Sequence, residues 1–187
     1  MRVIAGQYKS RPLRTLPGMN TRPTSDRLRE TLFNVLTAGD PQALEGSVWI
    51  DLFAGTGAVG IEALSRGASH VTFIDNSKAV TKVIRENLES LGIREGCEVL
   101  DLEAMKALRQ LEAQRLVADY VFIDPPYADE RAYADTLGVL GRSSVLQASA
   151  VVIVEHDKRF DPGEECGALR RYRKLVQGDS GLSFYRH

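Results

Sequence analysis

The sequence predicts an α/β protein: a mostly parallel sheet covered by helices, closed by an antiparallel hairpin and preceded by a small N-terminal hairpin and helix. Three observations predict it. From residue 46 onward, short apolar runs alternate with segments of 3.6-residue apolar spacing. The runs are continuous in Val, Ile and Phe, as in strands buried on both faces of a parallel sheet. The last segment changes character: Arg171 to Val176 and Leu182 to Tyr185 flank Gln177-Gly178-Asp179-Ser180-Gly181, a hairpin signature.

The elements follow in order. Two short β-like pieces surround Gln7 to Arg14. Thr21 to Asp26 supplies helix-start signals, and Leu28, Leu32, Phe33, Val35 and Leu36 make an apolar face behind them. Ser47 to Phe53 reads as a strand ending in a glycine loop, followed by a helix with Ile61 and Leu64 on one face. His70 to Asp75 is the second strand. Ser77 opens a helix with Val80, Val83, Ile84, Leu88 and Leu91 on its apolar face, and Gly92 ends it. Cys97 to Leu100 is a third strand, ending at Asp101. Helices carrying Met105, Leu108 and Leu111, and then Tyr133, Leu137 and Leu140, bracket a fourth strand at 119–123. Ala150 to Val154 is the fifth. The chain divides into an N-terminal appendage, 1–45, and an α/β domain, 46–187.

Composition narrows the function classes. At 187 residues, 43% hydrophobic and 26% charged, the chain suits one domain with a real core. No apolar run approaches the roughly 18 residues that span a membrane, and Met1 to Gly6 lacks a signal-peptide stretch. Cys97 and Cys166 form no disulfide framework, and the three histidines form no metal-ligand set. A cytoplasmic protein without a metal is expected. The net charge of −1 hides an asymmetry: residues 1–30 hold seven Lys/Arg against two Asp/Glu, a net of +5. A basic end on an acidic body points to a polyanion. Arg2, Lys9, Arg11, Arg14, Arg27 and Arg29 are its candidate contacts, and the competing reading is a solvated basic hairpin with no partner.

Gly55-Thr56-Gly57-Ala58-Val59-Gly60 matches the nucleotide-binding pattern G-x-G-x-x-G after a strand and at the start of a helix. Asp75 follows Gly55 by 20 residues, at the end of the second strand, where a ribose hydroxyl would be met. Asp51 argues against a pyrophosphate, because like charges in a partly dry site cost several kcal/mol. It favours a cationic group such as the α-ammonium of S-adenosylmethionine. A dehydrogenase also needs a second half-domain, for which about 140 residues of α/β leave little room. Asp101 or its neighbouring backbone reads as an adenine contact, or as a helix N-cap.

Asp124-Pro125-Pro126-Tyr127 ends the fourth strand. The prolines stiffen the loop and bare its carbonyls. The Asp124 carboxylate and Pro125 carbonyl can accept the two hydrogens of an exocyclic amine. That releases the nitrogen lone pair toward a methyl donor and stabilises the charge that develops on it. Tyr127 can stack on the base, worth about 1–3 kcal/mol, and the base must be unpaired or flipped to enter.

Asp51-Leu52-Phe53-Ala54-Gly55-Thr56-Gly57 together with Asp124 to Tyr127 resembles the class I S-adenosylmethionine-dependent amino-methyltransferases. Arg2 to Arg11, followed by Arg22-Pro23-Thr24-Ser25-Asp26-Arg27-Leu28-Arg29-Glu30-Thr31-Leu32-Phe33-Asn34, is similar to the bacterial RsmD family, which methylates N2 of a guanine in 16S ribosomal RNA. The resemblance spans nearly the whole chain. It implies a Rossmann-like sheet of seven strands with the last antiparallel, and S-adenosylmethionine as cofactor. It also implies 16S RNA within a 30S particle, or an assembly intermediate of one, as partner; a monomer is the expected working state. The expected cofactor set is Asp51, Phe53, Gly55, Thr56, Gly57, Asp75, Asn76, Asp101 and Leu102, with Arg22 and Thr24 from the specific N-terminal stretch. The expected catalytic set is Asp124, Pro125, Pro126 and Tyr127. A DNA adenine-N6 methyltransferase and a non-catalytic RNA-binding module are the alternatives. The first would need a target-recognition insertion, and none of that size is present.

Overall fold

The computed structural model describes residues 1–16 and 25–187. Its elements are α1 (Asp26–Leu36), β1 (Val48–Leu52), α2 (Ala58–Ser65), β2 (His70–Asp75), α3 (Lys78–Leu91), β3 (Cys97–Asp101), α4 (Ala104–Ala113), β4 (Ala118–Ile123), α5 (Glu130–Leu140), β5 (Leu146–Asp157), β6 (Glu165–Cys166), β7 (Leu169–Gln177) and β8 (Ser180–Arg186). They form one sheet in the order β3-β2-β1-β4-β5-β8-β7-β6. The first five strands are mutually parallel, and β8 inserts antiparallel between β5 and β7. The strand order reverses between β1 and β4, so a cleft opens there at the carboxyl ends of the strands.

Among the described residues the sheet has eight strands rather than seven. The addition is β6, two residues that fold back on Leu169 and Arg170 around Gly167 at φ 64°. So short a piece has no periodicity to read. β5 also starts earlier than its Ala150–Val154 run, because Leu146 already pairs with Ala118 before a register shift in β4. The N-terminal hairpin is looser than two strands. One bridge, Arg2 to Pro12, carries it, with Val3 N–H donating to Arg11 O (3.0 Å) and Ser10 N–H to Val3 O (2.9 Å).

The sheet separates two apolar layers. One joins α1, α2, α3 and the N-terminal hairpin, with Val3, Leu13, Leu28, Leu32 and Phe33 packed beside Trp49 and Phe73. The other lies under α4 and α5. Helix α1 starts where Ser25 Oγ accepts the Leu28 N–H, and its Phe33 ring lies 5.6 Å from Trp49. Close approach of α2 to the sheet depends on Gly60, where a Cβ would come within 2.4 Å of the Phe73 ring. Helix α3 ends, as its sequence indicates, at Gly92 in the left-handed region (φ 73°).

Candidate active site

A cleft of about 1360 Å³ lies over the carboxyl ends of β1, β2 and β4. One side is built from the glycine loop. Gly55 (φ 56°) and Gly57 (φ 75°) both occupy the left-handed region, as does Phe53 (φ 61°), a non-glycine held there at the strand–loop junction. Gly55 N–H and Ser77 N–H both donate to the Asp75 carboxylate (3.2 and 2.9 Å), which ties the loop to the end of β2. Asp51 lines the same side, almost wholly buried, and accepts the Gly60 N–H at 3.0 Å. Burial pushes its carboxyl up to about 8, and the neighbouring Asp75 adds to the rise against the Gly60 bond. Burial likewise raises Asp75. Phe53, Gly55, Thr56, Asn76 and Leu102 all line the cleft.

The other side is the Asp124–Tyr127 loop. Pro125 is buried, and its carbonyl accepts the Tyr133 hydroxyl at 3.3 Å, which leaves one lone pair for a substrate hydrogen. Asp124 is half-buried on the cleft wall. Its carboxyl is raised well above the usual range, first by desolvation and then by the carboxylates of Glu155 and Asp51. The Tyr127 hydroxyl is tethered to Glu155 and Ser180, and burial followed by the Glu155 charge pushes its proton affinity up. Among the described residues, the Lys and Arg side chains lining the cleft, Arg131, Lys158 and Arg159, follow β4 and β5 on this side.

The basic N-terminal hairpin forms part of the site. Buried Glu62 on α2 accepts the Ile4 and Ala5 N–H groups (2.7 and 3.0 Å) and is bonded by Arg66 (2.8 Å). Ser65 Oγ accepts from Tyr8 N–H and donates to Ala5 O. At Gly6, also at positive φ (79°), a Cβ would fall 1.8 Å from Ser65 O. Buried Asn87 on α3 accepts the Arg14 N–H (2.7 Å) and donates to the carbonyls of Arg14 and Thr56 (3.2 and 3.1 Å). One amide thus joins the arm to the glycine loop, and Met1, Thr15 and Leu16 line the cleft beside it.

Three expected site residues are placed elsewhere. Arg29 is fully buried: its Nη2 donates to Arg2 O (2.6 Å) and Asp26 (2.8 Å), so it braces α1 against the hairpin instead of facing a phosphate. The arginine head follows the apolar stripe because Leu28, Leu32 and Phe33 draw that face of α1 inward. Asp101 is not among the residues lining the cleft, and neither is Gly57, which shapes the glycine loop through its N–H to Ala54 O (2.8 Å). Asp101 pairs with Arg85 at 3.1 Å, and α4 is capped at Glu103, which removes the capping role too. Lys9 and Arg27 are exposed, Arg2 lies 3.7 Å from Asp26, Arg11 donates to Ser90 O (3.0 Å), and Arg14 pairs with Glu86 (2.9 Å). Arg22 and Thr24 lie outside the described residues. Sequence reasoning missed Glu62, Asn87 and Glu155. Each had a signal: a polar residue inside an apolar stripe, or an acid directly after an apolar run.

The profile of a family described as conserved hypothetical protein 95 matches residues 1–186. A Bacillus subtilis protein described as a candidate rRNA methyltransferase, YlbH, is 33% identical over 186 residues, which cover 100% of this chain and 98% of that protein. The ribosomal RNA small subunit methyltransferase D of Haemophilus influenzae is 36% identical over 159 residues, covering 84% of this chain and 79% of that one. Among solved structures, a candidate methyltransferase of Escherichia coli, yhhF, superposes with a TM-score of 0.81 at 32% identity, covering 100% of this chain and 97% of the other. The chain belongs to the conserved hypothetical protein 95 family, the RsmD family of S-adenosylmethionine-dependent methyltransferases.

Proposed function

We propose that this protein methylates the exocyclic N2 amine of a guanine in 16S ribosomal RNA, with S-adenosylmethionine as donor. The observation that carries the reading is one cleft with two unlike walls. The glycine-loop wall brings together Asp51, Asp75 and Glu103, while the Lys and Arg side chains that line the cleft among the described residues, Arg131, Lys158 and Arg159, stand with Asp124 and four further acids on the wall opposite. An acidic wall fits a cationic ammonium and ribose hydroxyls and would repel a pyrophosphate. Asp51 and Asp75 would hold the ammonium and ribose ends, and Phe53, Asn76 and Leu102 the remainder.

S-adenosylmethionine supplies an electrophilic methyl group, whose transfer leaves the bonding pair on sulfur. The protein's own part is placement. Asp124 and the free lone pair of Pro125 O accept the amine hydrogens and stabilise the positive charge that grows on nitrogen. Asp124 acts as an acceptor here and not as an obligatory base, so the extra proton on the methylated nitrogen is lost to solvent water after transfer. Tyr127 lines the base pocket, and positioning supplies most of the acceleration, an effect that reaches roughly 7–11 kcal/mol.

The curated relative named as a small subunit RNA methyltransferase supports an RNA substrate. The exposed Lys9 and Arg27 supply phosphate contacts near the hairpin. We take the arm, 1–45, as the RNA-facing part of a working monomer and 46–187 as the catalytic domain, with a 30S particle or its assembly intermediate as target. The test incubates the protein with methyl-labelled cofactor and, separately, 30S particles, naked 16S RNA and DNA, then identifies the digested nucleosides. N2-methylguanosine from RNA is expected. Label in N6-methyladenosine, or in DNA alone, would rule the guanine assignment out.

A further inference from the structure

Glu155, near the carboxyl end of β5, is the least expected member of the site. Ile123 pairs with Val154 in the last register of the parallel β4–β5 ladder, so Asp124 and Glu155 follow it side by side, Glu155 still within β5. Glu155 is 2% exposed. The Tyr127 hydroxyl donates to Glu155 Oε1 at 3.2 Å and sits 2.9 Å from Ser180 Oγ, which itself reaches the same carboxylate oxygen at 3.4 Å. The loop's aromatic is therefore gripped at its far end from two strands, β5 and β8. Its first proline is gripped from α5 through Tyr133.

We propose that Glu155 is a positioning residue of the amine subsite: together with Ser180 it holds the Tyr127 hydroxyl and so fixes the ring and the Asp124–Tyr127 loop against the target base. A phenol held only by packing would let the ring swing, and a misplacement near 1 Å in such a site costs about 10²-fold in rate. The Glu155 carboxylate has a second effect. Among the described residues, the charged and titratable groups facing it include Asp124 on β4, Tyr127 on the loop, Tyr133 on α5 and the buried Arg29 on α1. Asp51 on β1 acts in turn on Asp124. Because a negative Glu155 raises Asp124, neutralising Glu155 lowers the pH at which Asp124 loses its charge.

The inference rests on the cleft being the amine subsite, and the readouts separate the two. If the unsubstituted protein transfers no methyl group to any substrate, the proposed function fails. If it is active, the role of Glu155 is decided by Glu155→Gln, Ser180→Ala, Tyr127→Phe and the Ser180→Ala/Tyr127→Phe double variant. Each is assayed by single-turnover methylation across pH, with cofactor affinity measured by calorimetry. Tyr127→Phe and Ser180→Ala should each slow methyl transfer by on the order of 10–100-fold with cofactor affinity unchanged. The double variant should fall short of the product of the two losses by about tenfold, since both act through one hydroxyl. Glu155→Gln, which keeps a hydrogen-bond partner, should move the acid limb of the single-turnover rate to lower pH. Additive losses in the double variant, or an unmoved acid limb in Glu155→Gln, would overturn the role. Ser180→Ala and Tyr127→Phe remove no charge, so the cycle stands even where a Glu155 variant fails to fold.

Discussion

Asp51 shows what a single buried carboxylate asks of a ligand. Without a cation beside it the group holds its proton up to about pH 8, because burial penalises the charged form more than the Gly60 N–H relieves it. A folded-state affinity above the unfolded one favours the fold below about pH 4 and loses that support as pH rises toward 8. Thermal unfolding of the free protein should therefore show Asp51→Asn gaining on the parent between pH 4 and pH 8, with the gap flat above. A cationic ligand ionises the same group. At pH 6.5, cofactor binding should release up to one proton in the parent and none in Asp51→Asn, which calorimetry in buffers of different ionisation enthalpy resolves. Equal proton release in both proteins would remove Asp51 from the ammonium site. Asp51, Asp75 and Asp124 were legible because each ends an apolar run in an acid. Glu155 obeys the same rule after Val151 to Val154 and went unread, since no motif surrounds it.

The glycine loop and the hairpin are positioned by helix side chains that carry no motif. Gly60 allows α2 to approach β2, and Gly60→Ala would press a methyl group into Phe73 and Val71. That overpacking should cost about 1–3 kcal/mol, read as a lower denaturant midpoint. Asn87 binds the arm and the Thr56 carbonyl at once. Asn87→Ala leaves both carbonyls and the Arg14 N–H without that partner, so it should weaken cofactor affinity and loosen residues 1–16 together, seen as faster amide exchange in the arm. Independent changes in the two would contradict the coupling. The helices and strands themselves were readable from period and caps. The hairpin's attachment was not, because it is made by backbone groups reaching Glu62, Ser65 and Asn87, three side chains distant in sequence.

For the whole molecule, charge asymmetry was visible in the sequence but only partly a surface property. The +5 segment spends Arg29 inside the core and directs Arg11 and Arg14 along α3. Lys9→Ala and Arg27→Ala should each flatten the slope of log affinity for RNA against log salt by about 0.7–1. Arg29→Ala should leave that slope alone and lower the melting temperature, because it strips the brace between α1 and Arg2 O. A steeper effect of Arg29 than of Lys9 would restore Arg29 to the phosphate-facing set. The sheet order, with its reversal between β1 and β4, brings the glycine loop and the Asp124–Tyr127 loop to opposite walls of one cleft, and the account depends most on that juxtaposition. Single-turnover methylation by Asp124→Ala and Asp124→Asn, with cofactor affinity measured alongside, tests it directly. Asp124→Ala should lose on the order of 10³-fold in rate and Asp124→Asn should keep a measurable fraction, both with cofactor affinity unchanged. Equal loss in the two variants, or loss of cofactor binding in either, would contradict an acceptor role for Asp124 on the amine side of the cleft.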